Sequence, residues 1–147
     1  MKVAKQPNYK LLNVLAKFLD TLPRKRFDID TVCINNECGT MACAMGWTPT
    51  IPAFKKLGVK LKSFRKNEFE EFFDVVYKRT IRYRPVAMKL FGIDHLEVDF
   101  LFTGDGYRVE DPTPKRVAKQ IRTFIENRKA GKVLRGENIG FIWCKAE

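Results

Sequence analysis

Residues 38–47 constrain the fold more than any other part of this 147-residue chain. The segment reads C-G-T-M-A-C-A-M-G-W and carries no charged side chain, although 31% of the whole chain is charged. Small residues let neighbouring backbones approach closely, and Trp47 adds a large side chain suited to burial. We predict a small-residue helix that begins near Cys38 and Gly39. It forms either the centre of a core or an anion site at its N-terminus.

The second strong feature is a formal net charge of +11. Lysine and arginine collect in three stretches with at most one acid each, namely residues 55–66, 78–89 and 115–135. A surplus of this size attracts polyanions, and we expect the three stretches to share one positive surface. The alternative is that the charge only keeps the protein soluble.

The spacing of apolar residues predicts a mostly helical domain. One helix is predicted over residues 11–22, and further helices follow capping or proline signals at residues 52, 67, 85, 94 and 113. Alternating apolar residues predict a strand over residues 59–64 paired with a second over residues 139–143. We expect one globular domain over residues 1–147 of the mainly α (α+β) class. It would have about five to seven helices and a short antiparallel strand pair.

Several segments together resemble those of an uncharacterised group of small phage and bacterial proteins. The shared segments are F-D-I at residues 27–29, C-G-T-x-x-C-x-x-G-W at residues 38–47, and a helix opened by Thr113 and Pro114. Ile29 stands where the group usually has methionine. The resemblance implies that this chain shares the fold and the phage-related origin of the group. It implies no activity, because the group is uncharacterised.

The cysteines give no metal-binding pattern. Cys33, Cys38 and Cys43 are spaced five apart, whereas zinc ligands usually come two to four residues apart. We therefore expect no metal, no cofactor, and thiols packed in the core. An alternative is a small cysteine-dependent hydrolase or transferase, in which Cys38 at a helix start would pair with His95. Enzymatic activity is left open, and a binding role is favoured.

The favoured function is a non-enzymatic binding protein for nucleic acid or another phosphate-rich ligand. Basic side chains neutralise phosphates, and tyrosines stack on exposed bases, although both tyrosines of residues 77–84 could instead be core contacts. The candidate binding residues are Lys60, Lys62, Tyr77, Lys78, Arg79, Arg82, Tyr83, Arg84, Lys115, Lys119, Arg122 and Lys129.

A further candidate function is a phage-encoded inhibitor that places its basic face on a host defence protein. The chain has no apolar run long enough to span a membrane and no apolar signal region near its first residue. We therefore expect a cytoplasmic protein without a membrane partner, located in the host cytoplasm if it is phage-encoded.

Overall fold

A five-stranded antiparallel sheet, a separate two-stranded hairpin and six α-helices make up the described part of a computed structural model. That part comprises residues 6–36, 39–65, 68–73, 79–107, 112–137 and 140–146. The helices are α1 (Tyr9–Thr21), α2 (Ala44–Trp47), α3 (Pro52–Lys56), α4 (Tyr83–Phe91), α5 (His95–Phe102) and α6 (Pro114–Lys129). The strands are β1 (Cys33–Asn36), β2 (Gly39–Met41), β3 (Leu61–Arg65), β4 (Glu68–Phe73), β5 (Thr80–Arg82), β6 (Lys132–Glu137) and β7 (Gly140–Lys145). The predicted class, a small mainly helical α+β domain, is confirmed.

Strand β4 organises the larger sheet. Strand β3 pairs along one edge of β4, whereas β1 and β5 pair with successive parts of its other edge. Strand β2 continues the sheet beyond β1. The hairpin of β6 and β7 forms the second sheet. It packs on α5 and α6 through Trp143, whose ring centroid lies 5.7 Å from that of Phe100 and 5.8 Å from that of Phe124.

The helix signals at residues 94 and 113 correspond to real helix starts, whereas the signal at residue 67 precedes a strand. Helix α5 has both halves of a capping box, because Glu97 N–H donates to Asp94 at 2.8 Å and Asp94 N–H donates to Glu97 at 3.0 Å. The Thr113 hydroxyl caps α6 by accepting from the backbone N–H of Arg116. Helix α4 ends at Gly92, which adopts a left-handed conformation with φ of 62°. These ends fix where the apolar faces of α4, α5 and α6 enter the core.

Much of the small-residue segment is buried: Cys43, Ala44 and Met45 belong to the main core, and Trp47 belongs to a smaller cluster with Cys33 and Ala42. All residues from Ala42 to Thr48 are buried, and Trp47 is 8% exposed. The Trp47 indole N–H donates to the Arg26 carbonyl at 3.0 Å, and its ring packs on Phe18. A methyl group added at Gly46 would lie 1.6 Å from the Val32 carbonyl oxygen, so the backbones are in direct contact there. The predicted burial of Trp47 is confirmed.

The predicted start of the small-residue helix is wrong. Residues Gly39–Met41 form β2, with Thr40 opposite Asn35, and the helix begins only at Ala44. Gly39 has a φ of 108°, which is incompatible with a right-handed helix. Cys38 lies outside the described residues. The anion site expected at that helix start is therefore withdrawn, because no helix begins at Gly39.

Two predictions about the strands are also wrong. Residues Glu68–Phe73, where the sequence predicts a capped helix, form β4, because each end of this segment is paired with other strands. Strand β7 pairs with β6 instead of with the strand at residues 61–65. Local pairing of β6 and β7 closes a short loop, which costs less chain entropy than a distant pairing.

Candidate functional site

Two of the basic stretches meet on the larger sheet. Lys62 of β3 is the register partner of Glu71 on β4, and Glu71 is in turn the partner of Arg82 on β5. Directly opposed residues of antiparallel strands project from the same face. Lys62, Glu71 and Arg82 thus form a row across three strands, with the two cations on either side of the carboxylate.

The neighbouring row anchors this part of the sheet in the core. Leu61, Phe72 and Ile81 occupy the next register positions on the same three strands, and Phe72 is fully buried. Because side chains alternate along a strand, the row of Leu61, Phe72 and Ile81 faces the core and the row of Lys62, Glu71 and Arg82 faces outward. The strands that present the outward row are therefore packed against the core through their other face.

Lys62 and Arg82 are both exposed, and Glu71 between them is half-buried. Lys60 and Arg79, which precede β3 and β5, are also exposed. We call the row of Lys62, Glu71 and Arg82 the basic sheet face. Adjacent strands lie about 4.8 Å apart, so Lys62 and Arg82 start from backbone positions about 10 Å apart.

Glu71 is a member of this face that sequence reasoning missed. The capping signal at residue 67 predicts a helix whose first turn would hold Glu68, Glu70 and Glu71, where carboxylates are favourable. The segment E-F-E-E-F-F does not alternate regularly between polar and apolar residues, so the place of Glu71 follows only from the pairing of β4 with β3 and β5. Its position shows that the basic sheet face is not uniformly positive.

The third basic stretch begins on α6 and continues into β6, and α6 packs against α1, α5 and β6. Lys115 and Lys119 are exposed there. Arg122 instead donates to Asp20 of α1, with Nη1 3.1 Å from Oδ1, and this contact holds the pKa of Asp20 below its usual range. The Lys129 ammonium lies 5.1 Å from the centre of the Tyr9 ring. Arg122 and Lys129 therefore link α6 to α1.

Two other candidates, Tyr83 and Arg84, follow Arg82 in the chain and make internal contacts. Tyr83 is half-buried and packs against the main core, and burial raises the pKa of its hydroxyl. Arg84 Nη1 lies 2.6 Å from Asp99 Oδ1 and 3.0 Å from His95 Nε2, joining α4 to α5. The structure thus supports the alternative in which Tyr83 is a core contact and does not stack on bases. Tyr77 and Lys78 lie outside the described residues.

The cysteines that the structure describes are free thiols. Cys33 and Cys43 are buried, and burial raises the pKa of Cys43 to about 11. A thiol with such a pKa holds its proton at neutral pH and is a poor nucleophile. The proposed pairing of Cys38 with His95 stays a prediction, because Cys38 is not among the described residues, while His95 contacts Arg84.

No protein-family model, curated protein or solved structure matches this chain. The resemblance to a group of phage and bacterial proteins therefore stays a prediction. Among the helices in the described ranges, none is both long and apolar enough to cross a membrane.

Proposed function

We propose that this protein binds nucleic acid through phosphate contacts made by the basic sheet face. The observation that carries the proposal is the register of Lys62 and Arg82 on either side of Glu71. Two cations held on one sheet can contact phosphates of a single nucleic-acid strand. Because the sheet already fixes their backbone positions, binding does not require a loop to become ordered first. The net charge of +11 adds a long-range attraction for polyanions.

Phosphate contacts position a protein on nucleic acid without reading its sequence. The described basic sheet face offers charged side chains and no exposed aromatic ring, since Tyr83 packs inward. We therefore propose binding that is weak, tolerant of sequence and strongly dependent on salt, with dissociation constants of about 10⁻⁴–10⁻⁶ M at physiological salt.

The test is fluorescence anisotropy with a labelled single-stranded oligonucleotide of about 20 nucleotides at about 50 mM salt. The variant Lys62→Gln/Arg82→Gln should bind about tenfold more weakly than the wild type, because it loses two phosphate contacts. A matched control is Lys132→Gln/Lys145→Gln, which removes the same charge from exposed positions on the hairpin. This control should weaken binding by less than about threefold.

Equal weakening by the two double variants would contradict the proposed site, because it would leave only the net charge as the cause. An undetectable complex with single-stranded and duplex DNA and RNA would contradict the proposed function. That result would favour the inhibitor alternative, in which the same face contacts an acidic protein.

A further inference from the structure

A cavity of about 850 Å³ shares no lining residue with the basic sheet face and lies where the last turns of α4 and α6 meet the start of α5. Its size falls in the range of small-molecule sites, about 300–1,000 Å³. Met88, Ile93 and Val133 give it apolar walls, whereas Lys89, Glu97 and Arg128 contribute charged groups. Apolar walls with a few fixed polar groups are the usual composition of a ligand site.

Glu97 is the most constrained of these polar groups. The residue is 4% exposed, and its Oε1 atom accepts the Asp94 backbone N–H, which fixes the carboxylate at the start of α5. Its Oε2 atom is buried and accepts no hydrogen bond from any described residue. A buried acceptor without a hydrogen bond is costly, so a donor supplied by a ligand would be favourable there.

Arg128 of α6 lies beside this carboxylate. Its Nε atom is 3.5 Å from Glu97 Oε2, which is close enough for an ion pair but too far for a good hydrogen bond. Burial raises the pKa of Glu97, and the Arg128 charge only partly opposes that effect. The cavity wall therefore presents a fixed negative group and a fixed positive group next to each other.

We propose that this cavity binds a zwitterionic small molecule with an apolar side group, of the class of a free apolar α-amino acid. Its ammonium group would donate to Glu97 and its carboxylate would lie on the Arg128 side, where Lys89 adds a second cation. In an α-amino acid these two groups are separated by one carbon, which matches the close approach of Glu97 and Arg128. Its side chain would pack against Met88, Ile93 and Val133.

A ligand with one charge fits this wall less well. An amine alone would pair with Glu97 but bring a second positive charge next to Arg128, and an acid alone would bring a second negative charge next to Glu97. Such like-charge contacts in a partly buried site oppose binding. The zwitterion places an opposite charge next to each group, and this difference makes the proposal testable with truncated ligands.

The probe is L-phenylalanine, with 2-phenylethylamine and 3-phenylpropanoate as the analogues that lack one charged group. Amide NMR shifts of the wild-type protein should change around residues 88–97 and 128–133 on addition of L-phenylalanine at concentrations up to about 10 mM. Each analogue should bind about tenfold more weakly, because it loses one charge-assisted contact. An absence of shifts, or equal binding of either analogue, would overturn the proposal.

Glu97→Gln tests the role of the carboxylate, because glutamine can keep the capping box while removing the charge. It should abolish L-phenylalanine binding, whereas Glu126→Gln on the exposed side of α6 should leave it unchanged. Val133→Trp provides a second variant that fills the cavity from β6 and should also abolish binding. Retained binding in folded Glu97→Gln or Val133→Trp would rule the site out, whatever the outcome for nucleic acid.

Discussion

Lys62 and Arg82 lie on the same face of the larger sheet, one strand to either side of Glu71. They come from basic stretches that precede and follow β4 in the sequence. Pairing of β3, β4 and β5 brings them together, and the core-facing row of Leu61, Phe72 and Ile81 holds that pairing in place. The proposed interface thus depends on the same strand register as the core.

Glu71→Gln should tighten polyanion binding. A unit charge about 7 Å from a bound phosphate contributes about 0.6 kcal/mol of repulsion in a water-like environment, so removing it should strengthen binding about threefold. Anisotropy titrations at low salt measure this directly.

Glu126→Gln is the matched control for that experiment, because it removes an equal charge from an exposed position on α6. Equal tightening by both variants would show that Glu71 acts only through net charge. Weaker binding of Glu71→Gln would contradict the placement of phosphates between Lys62 and Arg82.

Trp47→Ala should lower the free energy of unfolding by about 3–5 kcal/mol, the usual cost of removing a large buried aromatic side chain. It deletes the ring contact with Phe18 and the hydrogen bond to the Arg26 carbonyl. Urea denaturation followed by circular dichroism measures the change. A loss below about 1 kcal/mol would show that Trp47 is not a central part of the packing.

Gly46→Ala should destabilise the fold by at least about 3 kcal/mol, because its methyl group would overlap the Val32 carbonyl oxygen and force the two backbones apart. Gly58→Ala is a suitable comparison, since nothing lies within 4 Å of a methyl group at that position. Gly58 has a φ of 89°, so its substitution costs backbone strain alone, about 1–2 kcal/mol. A smaller loss for Gly46→Ala than for Gly58→Ala would contradict the close approach.

The starts of α5 and α6 were predictable because their signals are local. The Asp94 and Glu97 capping box, and Thr113 followed by Pro114, act over a single turn of chain. The burial of Trp47 was also predictable, because a large aromatic residue closes a run of small apolar residues. None of these inferences depended on a distant part of the chain.

Strand β4 could not be predicted in the same way. Its phenylalanines fit both a helical stripe and a strand, and the choice depends on pairing with β1, β3 and β5, which the sequence does not show. The same limit applies to the candidate site. The charge pattern of the sequence identifies Lys62 and Arg82 as candidate binding residues, but the position of Glu71 between them follows from strand register. The buried wall formed by Glu97 and Arg128 likewise requires α5 and α6 to be placed first.

Glu97→Gln should change how stability depends on pH. Burial raises the pKa of Glu97 above its ordinary value of 4.5, so the folded protein holds this proton more tightly than the unfolded chain. The wild-type free energy of unfolding should therefore fall relative to the variant as pH rises from about 4 to about 8. Urea titrations across that range measure the difference, and a difference that rises with pH would contradict the burial of an uncompensated carboxylate.

The salt dependence of oligonucleotide binding tests the central proposal most directly. For single strands, the slope of log K against log salt is about −0.7 per phosphate contact. The slope for Lys62→Gln/Arg82→Gln should be shallower than that of the wild type by about 1.4, while Lys132→Gln/Lys145→Gln keeps the wild-type slope. An unchanged slope for Lys62→Gln/Arg82→Gln would show that neither side chain contacts phosphate, and would contradict the proposed interface.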